Sequence, residues 1–313
     1  MTHFSIFLCH DQISAWCLKP KQAEALKALF PGCTYTLCKS EAEYLADLPQ
    51  ADVTLTWFFR QDWFTLAPRL RCLSTPAAGR DYFQVAPPPS VTMLNGQFHG
   101  ELMSETALGM LLGMCRGLLP AVTTYAALPW PRRELDARMR PLRGARVLIL
   151  GFGHIGRQIG NKLHDLGAHV SGMKRNLAVA PPDWFAQGDD IFAPDELDTR
   201  LPHADHVILL LPSDTGTDLL LDRWRLSLLP AHATIYNLGR GNCLDHQALT
   251  EMLRAGRLAG ACLDVFPQEP LPEDSPLRSC PNLWLFPHSS AIAPNYLDLY
   301  LLDFARQWAD RQS

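Results

Sequence analysis

The first part of the chain alternates short apolar runs with segments in which apolar residues recur at helical spacing. Short apolar runs are typical of buried strands, and amphipathic segments between them are typical of helices. Strand and helix patterns in alternation predict a parallel sheet with helices on both faces. The predicted strands are residues 4–9, 34–38, 53–57 and 70–74, and the predicted helices are residues 21–30 and 41–48.

The prolines Pro87, Pro88 and Pro89 interrupt this pattern, and a long helix is predicted beyond them over residues 100–119. The alternation restarts near Ala145 and runs for longer than before. Two such stretches predict an α/β protein with two doubly wound lobes. In the second stretch the predicted strands are 146–150, 169–173, 206–211, 234–237, 259–264 and 283–286, the helices are 155–166, 219–229 and 246–255, and a last helix covers 294–308.

The first strand of the second stretch runs directly into G-x-G-x-x-G, formed by Gly151, Gly153 and Gly156, and a helix pattern follows. In a dinucleotide site the first glycine permits a tight turn, the second lets the backbone approach the pyrophosphate, and the third lets the helix pack on the strand. An ordinary glycine turn is the alternative for this motif alone. The flanking elements favour a cofactor site that includes the intervening His154 and Ile155.

The end of the next predicted strand indicates which dinucleotide binds. NAD sites usually have Asp or Glu there, bonded to the ribose 2′-hydroxyl. This chain has Lys174 and Arg175 instead. A carboxylate would repel a 2′-phosphate, whereas two cations with several donors would hold it. We therefore expect NADP(H), with a solvated basic turn as the alternative for these two residues.

Composition excludes several classes of function. The chain has 313 residues, of which 47% are hydrophobic and 19% charged, and this is enough for a large core. Its net charge is −4, and it has no basic stripe that would bind nucleic acid or an anionic membrane. No apolar run approaches the ~20 residues of a membrane span. The N-terminus resembles a first strand rather than a signal peptide. The nine cysteines are scattered without C-x-x-C, which favours reduced thiols in a cytoplasmic protein.

Three side chains with acid–base or anion-binding chemistry follow successive predicted strands. Arg240 follows the fourth strand of the second stretch, Glu269 the fifth and His288 the sixth. Ligands of open α/β sheets bind beyond the carboxyl ends of the strands. The three side chains are therefore expected at the same edge of the sheet as the glycine turn.

Taken together, these motifs resemble the D-isomer-specific 2-hydroxyacid dehydrogenase family over nearly the whole chain. Among subfamilies, the length, Trp57, Lys174-Arg175 and residues 266–272 look most like the glyoxylate/hydroxypyruvate reductases of the bacterial A type. The matching segments are the glycine turn, residues 237–241, 264–272 and 287–288, a cofactor-side loop at 211–217 and a substrate-side loop A-x-G-x-D at 77–81.

The resemblance implies a Rossmann-type dinucleotide-binding domain inserted in a flavodoxin-like substrate domain. The implied bounds are 1–97 for the substrate domain, 98–289 for the NADP-binding domain and 290–313 for a C-terminal helix that returns to the substrate domain. The implied activity is NADPH-dependent reduction of a small 2-keto acid to a D-2-hydroxy acid. The expected assembly is a homodimer. Trp130, in the irregular stretch before the glycine turn, either packs in the core or reaches a second subunit, and a packing role at the subunit interface is favoured.

The implied roles agree with the needs of the reaction, which are a hydride, a proton and a site for the carboxylate. Arg240 has a planar fork of donors that fits a carboxylate and polarises the ketone. His288 is the expected general acid, and Glu269 would orient its ring and favour its charged form. At the substrate, Arg240 would be joined by Trp57 and by the backbone N–H groups of Ala78 and Gly79. Asp264 would face the nicotinamide end of the cofactor. The other residues expected to contact the cofactor are Leu211, Pro212, Asn237, Leu238 and His288.

Some alternatives stay open. Formate-type members of the superfamily have Gln where this chain has Glu269, which argues against that type. Phosphoglycerate-type members often have a further regulatory domain, and little chain follows Trp308 to form one. A cofactor-sensing binding protein, like the corepressors of this fold, could keep the same three side chains. Arg80 is either an extra anion contact or a solvent-facing side chain. The residues 203–206, His-Ala-Asp-His, match a strand entry, and no metal site is expected there.

Overall fold

The computed structural model describes residues 1–79, 84–178 and 180–311. The chain forms two compact units. One contains Met1–His99 and Ala291–Ser313, and the other contains Gly100–Ser290.

The first unit is built on a five-stranded sheet whose strands are all parallel, in the order β2-β1-β3-β4-β5. This order is that of flavodoxin-like doubly wound sheets. β5 was not predicted, because it lies just beyond the prolines that break the pattern. The strands are β1 His3–Phe7, β2 Thr34–Leu37, β3 Val53–Thr56, β4 Cys72–Thr75 and β5 Thr92–Asn95, and the first helices are α1 Pro20–Leu29 and α2 Glu41–Asp47.

The second unit is built on a seven-stranded parallel sheet in the order β12-β11-β10-β9-β6-β7-β8. Numbered from β6, the order contains the 3-2-1-4-5-6 arrangement of the Rossmann fold, with a further strand at the edge. The strands are β6 Arg146–Leu150, β7 His169–Met173, β8 Asp190–Phe192, β9 His206–Leu209, β10 Thr234–Asn237, β11 Gly260–Leu263 and β12 Leu283–Leu285. The sequence predicts six of these strands and misses β8, which has three residues.

Two predicted helices of this part of the chain have other bounds in the structure. The helices Arg132–Asp136 and Leu197–Arg200, and most of the helix Leu118–Ala127, were not predicted. The helix predicted over 100–119 ends at Cys115, because Gly117 has a left-handed φ of 67° and a new helix starts at Leu118. The helix predicted over 219–229 starts only at Arg223, where Asp222 accepts a hydrogen bond from the N–H of Arg225 as N-cap. The helices are α3 His99–Cys115, α4 Leu118–Ala127, α5 Arg132–Asp136, α6 His154–Asp165, α7 Leu197–Arg200, α8 Arg223–Leu228 and α9 His246–Arg254.

Within the described ranges, no single helix is long and apolar enough to cross a membrane. Helices α3 and α4 are long and apolar enough only when they are counted together, and the chain bends by 51° between them. Much of α3 is core, since Ala107, Met110, Leu111 and Met114 are buried.

The C-terminal helix α10, Tyr296–Ala309, belongs to the first unit. It buries Leu297, Tyr300, Leu301 and Phe304. The hydroxyl of Tyr300 donates to the hydroxyl of Ser74 in β4 across 2.8 Å, so the last helix is fixed to the sheet of the first unit by packing and by a buried hydrogen bond.

Candidate active site

The glycine turn after β6 has the geometry that its sequence predicts. Gly151 has a φ of 105°, and a Cβ there would lie 2.7 Å from the carbonyl oxygen of Leu210. A Cβ on Gly156 would lie 2.6 Å from the carbonyl oxygen of Gly151, so a side chain would push α6 away from the turn. Gly153 differs, because a Cβ there would meet no atom within 4 Å. The structure therefore leaves open space at Gly153, where the sequence predicts that the backbone approaches a pyrophosphate.

The two residues beside this turn, His154 and Ile155, form the start of α6. His154 is exposed and Ile155 is half-buried. The Nε2 atom of His154 lies 2.9 Å from Nε2 of Gln158, one turn further along the helix.

The predicted 2′-phosphate site lies at the end of β7. Lys174 is half-buried, and its N–H donates to the carbonyl of Phe192 in β8, so the backbone there continues the sheet. Arg175 is exposed, and its Nη2 lies 3.6 Å from Oδ2 of Asp214. The sequence reasoning did not detect this acidic partner, because the two residues lie in loops after different strands.

The predicted cofactor-side loop follows β9. Leu211 is buried and Pro212 is exposed. The hydroxyl of Thr217 lies 2.7 Å from the carbonyl of Pro212, which closes the loop into a compact turn. A Cβ on Gly239 would lie 2.8 Å from the N and O atoms of Leu211, so the loops after β9 and β10 touch through their backbones.

Arg240 is held by the end of β10. Leu238 is buried, and Asn237, also fully buried, donates through Nδ2 to the carbonyl of Arg240 across 3.0 Å. The Oδ1 atom of Asn237 accepts the N–H of Gly239 across 3.1 Å. The half-buried guanidinium of Arg240 donates through Nη1 to the carbonyl of Gly239 across 2.8 Å. The side chain of Asn237 thus shapes the turn that presents Arg240.

Glu269 and His288 form a hydrogen-bonded pair. Nδ1 of His288 lies 2.8 Å from Oε2 of Glu269, and the other carboxylate oxygen accepts the N–H of Phe266 across 2.9 Å. Because Nδ1 bonds to Glu269, Nε2 is the nitrogen left to exchange a proton with a ligand.

The charges of this group shift two pKa values in opposite directions. The hydrogen bond to Glu269, followed by the charges of Glu269 and Asp264, raises the pKa of His288, against burial and the cation Arg240. Burial opposes ionisation of Glu269, but the hydrogen bonds from His288 and Phe266 and the charges of His288 and Arg240 together lower its pKa. Arg240, Glu269 and His288 are therefore close enough to act on one another electrostatically.

Asp264 holds the segment that contains His288. It is fully buried at the end of β11, and its two carboxylate oxygens accept the N–H groups of Ser289, across 2.8 Å, and Ser290, across 2.9 Å. The N–H of His288 donates to the carbonyl of Asp264 across 2.9 Å. The structure gives Asp264 a role in placing His288, and its expected contact with a nicotinamide stays a prediction.

His288 has a φ of 51°, in the left-handed region that non-glycine residues rarely adopt. Such a conformation persists only where surrounding contacts impose it, and it is common at functional sites. Here the contacts with Asp264 on the backbone and with Glu269 on the ring impose it.

Trp57, predicted as a substrate contact, is buried in the first unit. Its Nε1 donates to the carbonyl of Trp16 across 2.8 Å, and its ring packs near those of Trp16 and Tyr296, at centroid distances of 5.1 Å and 5.9 Å. Trp57 is 6% exposed and its ring N–H is used within this unit, so the structure shows its packing role, and its contact with a substrate stays a prediction.

Ala78 and Gly79 follow β4 in the first unit. Ala78 is exposed and Gly79 half-buried. The loop is tied to the end of β5, since Nδ2 of Asn95 donates to the carbonyl of Gly79 across 3.3 Å and the N–H of Gly96 donates to the carbonyl of Ala77 across 3.0 Å. Arg80 lies outside the described residues.

The residues 203–206 have structural partners. Burial lowers the pKa of His206 to about 4, and its ring nitrogens lie 3.4 Å from Sγ of Cys115 and 2.6 Å from Oγ1 of Thr234. Asp205 accepts the N–H of Arg146 and pairs with His232. In the described part of the chain, no three His, Cys, Asp or Glu side chains are grouped as a metal site.

Trp130 lies between α4 and α5 and is 69% exposed, with the guanidinium of Arg132 above its ring. Leu118, Val122 and Tyr125, on one face of α4, are also exposed. Trp130 is therefore not a core residue of its own unit.

Comparison with known proteins identifies the type of site. The family described as "D-isomer specific 2-hydroxyacid dehydrogenase, NAD binding domain" matches residues 108–290. Glyoxylate/hydroxypyruvate reductase B of Pectobacterium carotovorum subsp. carotovorum (strain PC1) is 32% identical over 235 residues, which is 73% of this chain and 71% of that protein.

Solved structures share the fold over nearly the full length. A D-isomer specific 2-hydroxyacid dehydrogenase family protein from Aeromonas salmonicida subsp. salmonicida A449 has a TM-score of 0.76 at 27% identity, covering 99% of this chain and 95% of that one. The NADPH-dependent glyoxylate/hydroxypyruvate reductase SmGhrA from Sinorhizobium meliloti, in complex with NADP and sulfate, has a TM-score of 0.77 at 24% identity, covering 100% and 95%. The relative at 32% identity is of the B type rather than the expected A type, and the S. meliloti structure, at 24% identity, shows the shared fold.

Proposed function

The chain belongs to the D-isomer specific 2-hydroxyacid dehydrogenase family, and on that basis we propose that it reduces small 2-keto acids, such as glyoxylate or hydroxypyruvate, to D-2-hydroxy acids with NADPH. The observation that carries the proposal is the 2.8 Å contact between His288 Nδ1 and Glu269 Oε2, with Arg240 close enough to affect the pKa of both. This is an acid–base pair beside a cation, at the ends of β10, β11 and β12. Reduction of a carbonyl next to a carboxylate needs these groups.

The glycine turn fits a dinucleotide, since the open space at Gly153 admits a pyrophosphate against the start of α6. When bound, the reduced cofactor supplies the hydride for C2 of the substrate. Lys174 and Arg175 would hold the 2′-phosphate, and their charges are the reason for proposing NADPH over NADH. The S. meliloti relative is itself described as NADPH-dependent. Leu211, Pro212, Asn237 and Leu238, at the ends of β9 and β10, are proposed to line the rest of the cofactor site.

Arg240 would bind the substrate carboxylate with its planar donors and polarise the adjacent ketone. Its backbone is fixed by the buried amide of Asn237, so the guanidinium is placed before a ligand arrives. The N–H groups of Ala78 and Gly79 stay proposed as substrate contacts.

His288 would donate the proton to the developing alkoxide. Glu269 favours the protonated ring, so the acid form persists to a higher pH than in an isolated histidine. Once Nε2 has given up its proton, Nδ1 keeps its own hydrogen bond to Glu269, and the ring keeps its orientation. In the reverse direction the neutral ring would accept the proton of a 2-hydroxy acid.

The exposed apolar face of α4, with Leu118, Val122, Tyr125 and the nearby Trp130, supports the proposal that the protein is a homodimer. All nine cysteines are free, in agreement with the reducing environment of the cytoplasm, which we propose as its location.

The test is a panel of 2-keto acids of increasing side-chain size, each with NADPH and NADH, followed by the absorbance of the reduced nicotinamide and by chiral analysis of the product. Turnover with NADPH and a D-product supports the proposal. Tight NADPH binding without turnover of any keto acid would contradict it and would favour a cofactor-sensing binding protein.

A further inference from the structure

Arg175, the cation assigned above to the 2′-phosphate, has an acidic partner within the protein. Its Nη2 lies 3.6 Å from Oδ2 of Asp214, in the loop that follows β9. The Arg175 side chain is 78% exposed, whereas that of Asp214 is 35% exposed. The arginine is thus the more exposed member of the pair, and the carboxylate is the more enclosed one.

The loop itself fixes the carboxylate of Asp214. Oδ1 accepts the N–H of Gly216 across 2.9 Å, and the N–H of Asp214 donates to Oγ1 of Thr217 across 3.1 Å. Thr217 is buried, and its N–H donates back to the carbonyl of Asp214 across 2.9 Å. This closed turn holds the Asp214 charge in place whether or not Arg175 stays beside it.

A fixed carboxylate next to a phosphate-binding arginine affects the two cofactors differently. A phosphate monoester carries about −1.5 to −2 charges at neutral pH. A phosphate bound by Arg175 would compete with Asp214 for the guanidinium and would lie near the negative charge of Asp214. The 2′-hydroxyl of NADH carries no charge, so it neither competes with Asp214 for Arg175 nor is repelled by Asp214.

We propose that Asp214 is a specificity-determining residue that weakens the binding of NADP(H), by competing with the 2′-phosphate for Arg175 and by repelling it. The inference rests on the proposed function, in which Arg175 binds that phosphate. Asp214 thereby reduces the difference in affinity between NADPH and NADH, so that NADH stays usable as a second cofactor.

A direct hydrogen bond between Asp214 and the cofactor ribose is a different role, and it predicts that Asp214→Asn weakens NADH binding. Acidic residues in NAD sites accept a hydrogen bond from the ribose 2′-hydroxyl. In that role the carboxylate would strengthen NADH binding. Its present contacts favour competition, since one oxygen already accepts the N–H of Gly216 and the other faces Arg175.

The experiment measures the Kd of NADPH and of NADH by fluorescence titration for the unmodified protein, Asp214→Asn, Arg175→Gln and the double variant. Asn keeps an oxygen for the N–H of Gly216, so the turn is retained. Asp214→Asn should tighten NADPH binding by about 10-fold, which corresponds to about 1.4 kcal/mol, and change NADH binding by less than about 2-fold. In the Arg175→Gln background the increase in NADPH affinity caused by Asp214→Asn should be smaller, because there is no arginine for which Asp214 and the phosphate compete.

Asp218→Asn is the matched control. Asp218 lies four positions after Asp214, and its carboxylate accepts a hydrogen bond from Asn242 instead of facing Arg175. It removes the same charge from the same loop and should leave both Kd values within about 2-fold.

The outcomes separate the inference from the proposed function. Unchanged NADPH binding in Asp214→Asn, an equal gain in Asp218→Asn, or weaker NADH binding in Asp214→Asn would each overturn the role of Asp214. If Arg175→Gln leaves NADPH binding unchanged, the proposed phosphate contact is wrong. If Asp214→Asn loses its folded melting transition, Asp214→Ser, which can form a similar turn, replaces it in the same titrations.

Discussion

Gly241 lies against the backbone of Phe266 so closely that a Cβ on Gly241 would come within 2.0 Å of the Phe266 carbonyl carbon. Gly241 directly follows Arg240, and the N–H of Phe266 donates to Glu269. The contact therefore joins the loop that presents Arg240 to the loop that presents Glu269, through main-chain atoms that cannot move aside independently.

Gly241→Ala should consequently displace one loop from the other and disturb Arg240 and Glu269 together. We expect a loss of stability of at least about 2 kcal/mol and a large fall in kcat, measured by chemical denaturation and steady-state kinetics. Gly109→Ala in α3 is the control, since a Cβ there meets no atom within 4 Å and alanine favours a helix. Equal effects of the two substitutions would contradict this account of Gly241.

Asp264 accepts two backbone N–H groups with two carboxylate oxygens, which an amide cannot do. Asp264→Asn should leave one buried N–H facing an NH2 group and cost about 1–3 kcal/mol of unfolding free energy. It should also lower kcat, because His288 loses its support. Asp222→Asn is the control, since Asn caps α8 as well as Asp does. Wild-type stability and kcat in Asp264→Asn would exclude this positioning role.

Arg240→Lys keeps the positive charge but loses the planar pair of donors. The KM for the keto acid should rise and kcat should fall, while the Kd of NADPH changes little, as measured by initial rates and cofactor titration. Arg223→Lys, at a surface pair with Glu251, should leave all three values unchanged. Near-normal kinetics in Arg240→Lys would mean that other groups bind the carboxylate.

The proposed dimer depends on the exposed face of α4. Val122 is 74% exposed there, and Val122→Asp should convert a dimer to a monomer, because a charge would be buried at the interface. Sedimentation or light scattering measures the mass. Leu302→Asp, at a 59% exposed position in α10, should leave the dimer intact. A monomeric unmodified protein would remove the basis of this proposal.

The sequence predicts the two parallel sheets well, because strands buried on both faces leave continuous apolar runs. It misses β5, which lies just beyond the prolines that interrupt the pattern, and β8, a three-residue strand at the edge of its sheet. It also extends α3 to residue 119, because apolar residues continue across the left-handed turn at Gly117, and it does not predict the rest of α4.

At the site, the sequence identifies the residue types and, through the family resemblance, the pairing of Glu269 with His288, but not the other contacts. Arg240, Glu269 and His288 could be located because each follows a strand. The hydrogen bonds of Asp264, the close approach of Gly241 and the pairing of Arg175 with Asp214 depend on how loops from different strands meet. Local sequence pattern contains no such information.

The most direct test of the central claim is the pH dependence of both reaction directions in the unmodified protein and in Glu269→Gln. Protonated His288 donates in reduction, so reduction falls as pH rises through its pKa. Neutral His288 accepts in oxidation, so oxidation falls as pH drops through the same pKa. Glu269 raises that pKa, so Glu269→Gln should shift the reduction limb to lower pH and keep oxidation active further into the acid range.

Glu273→Gln, at an exposed position of the same loop, is the matched control and should leave both profiles in place. His288→Ala should lower kcat by roughly 10²–10⁴-fold while NADPH still binds. A shift of both limbs to lower pH in Glu269→Gln alone is the result that the account predicts. Profiles that Glu269→Gln leaves unmoved would contradict the pairing of Glu269 with His288 as the acid–base device of this protein.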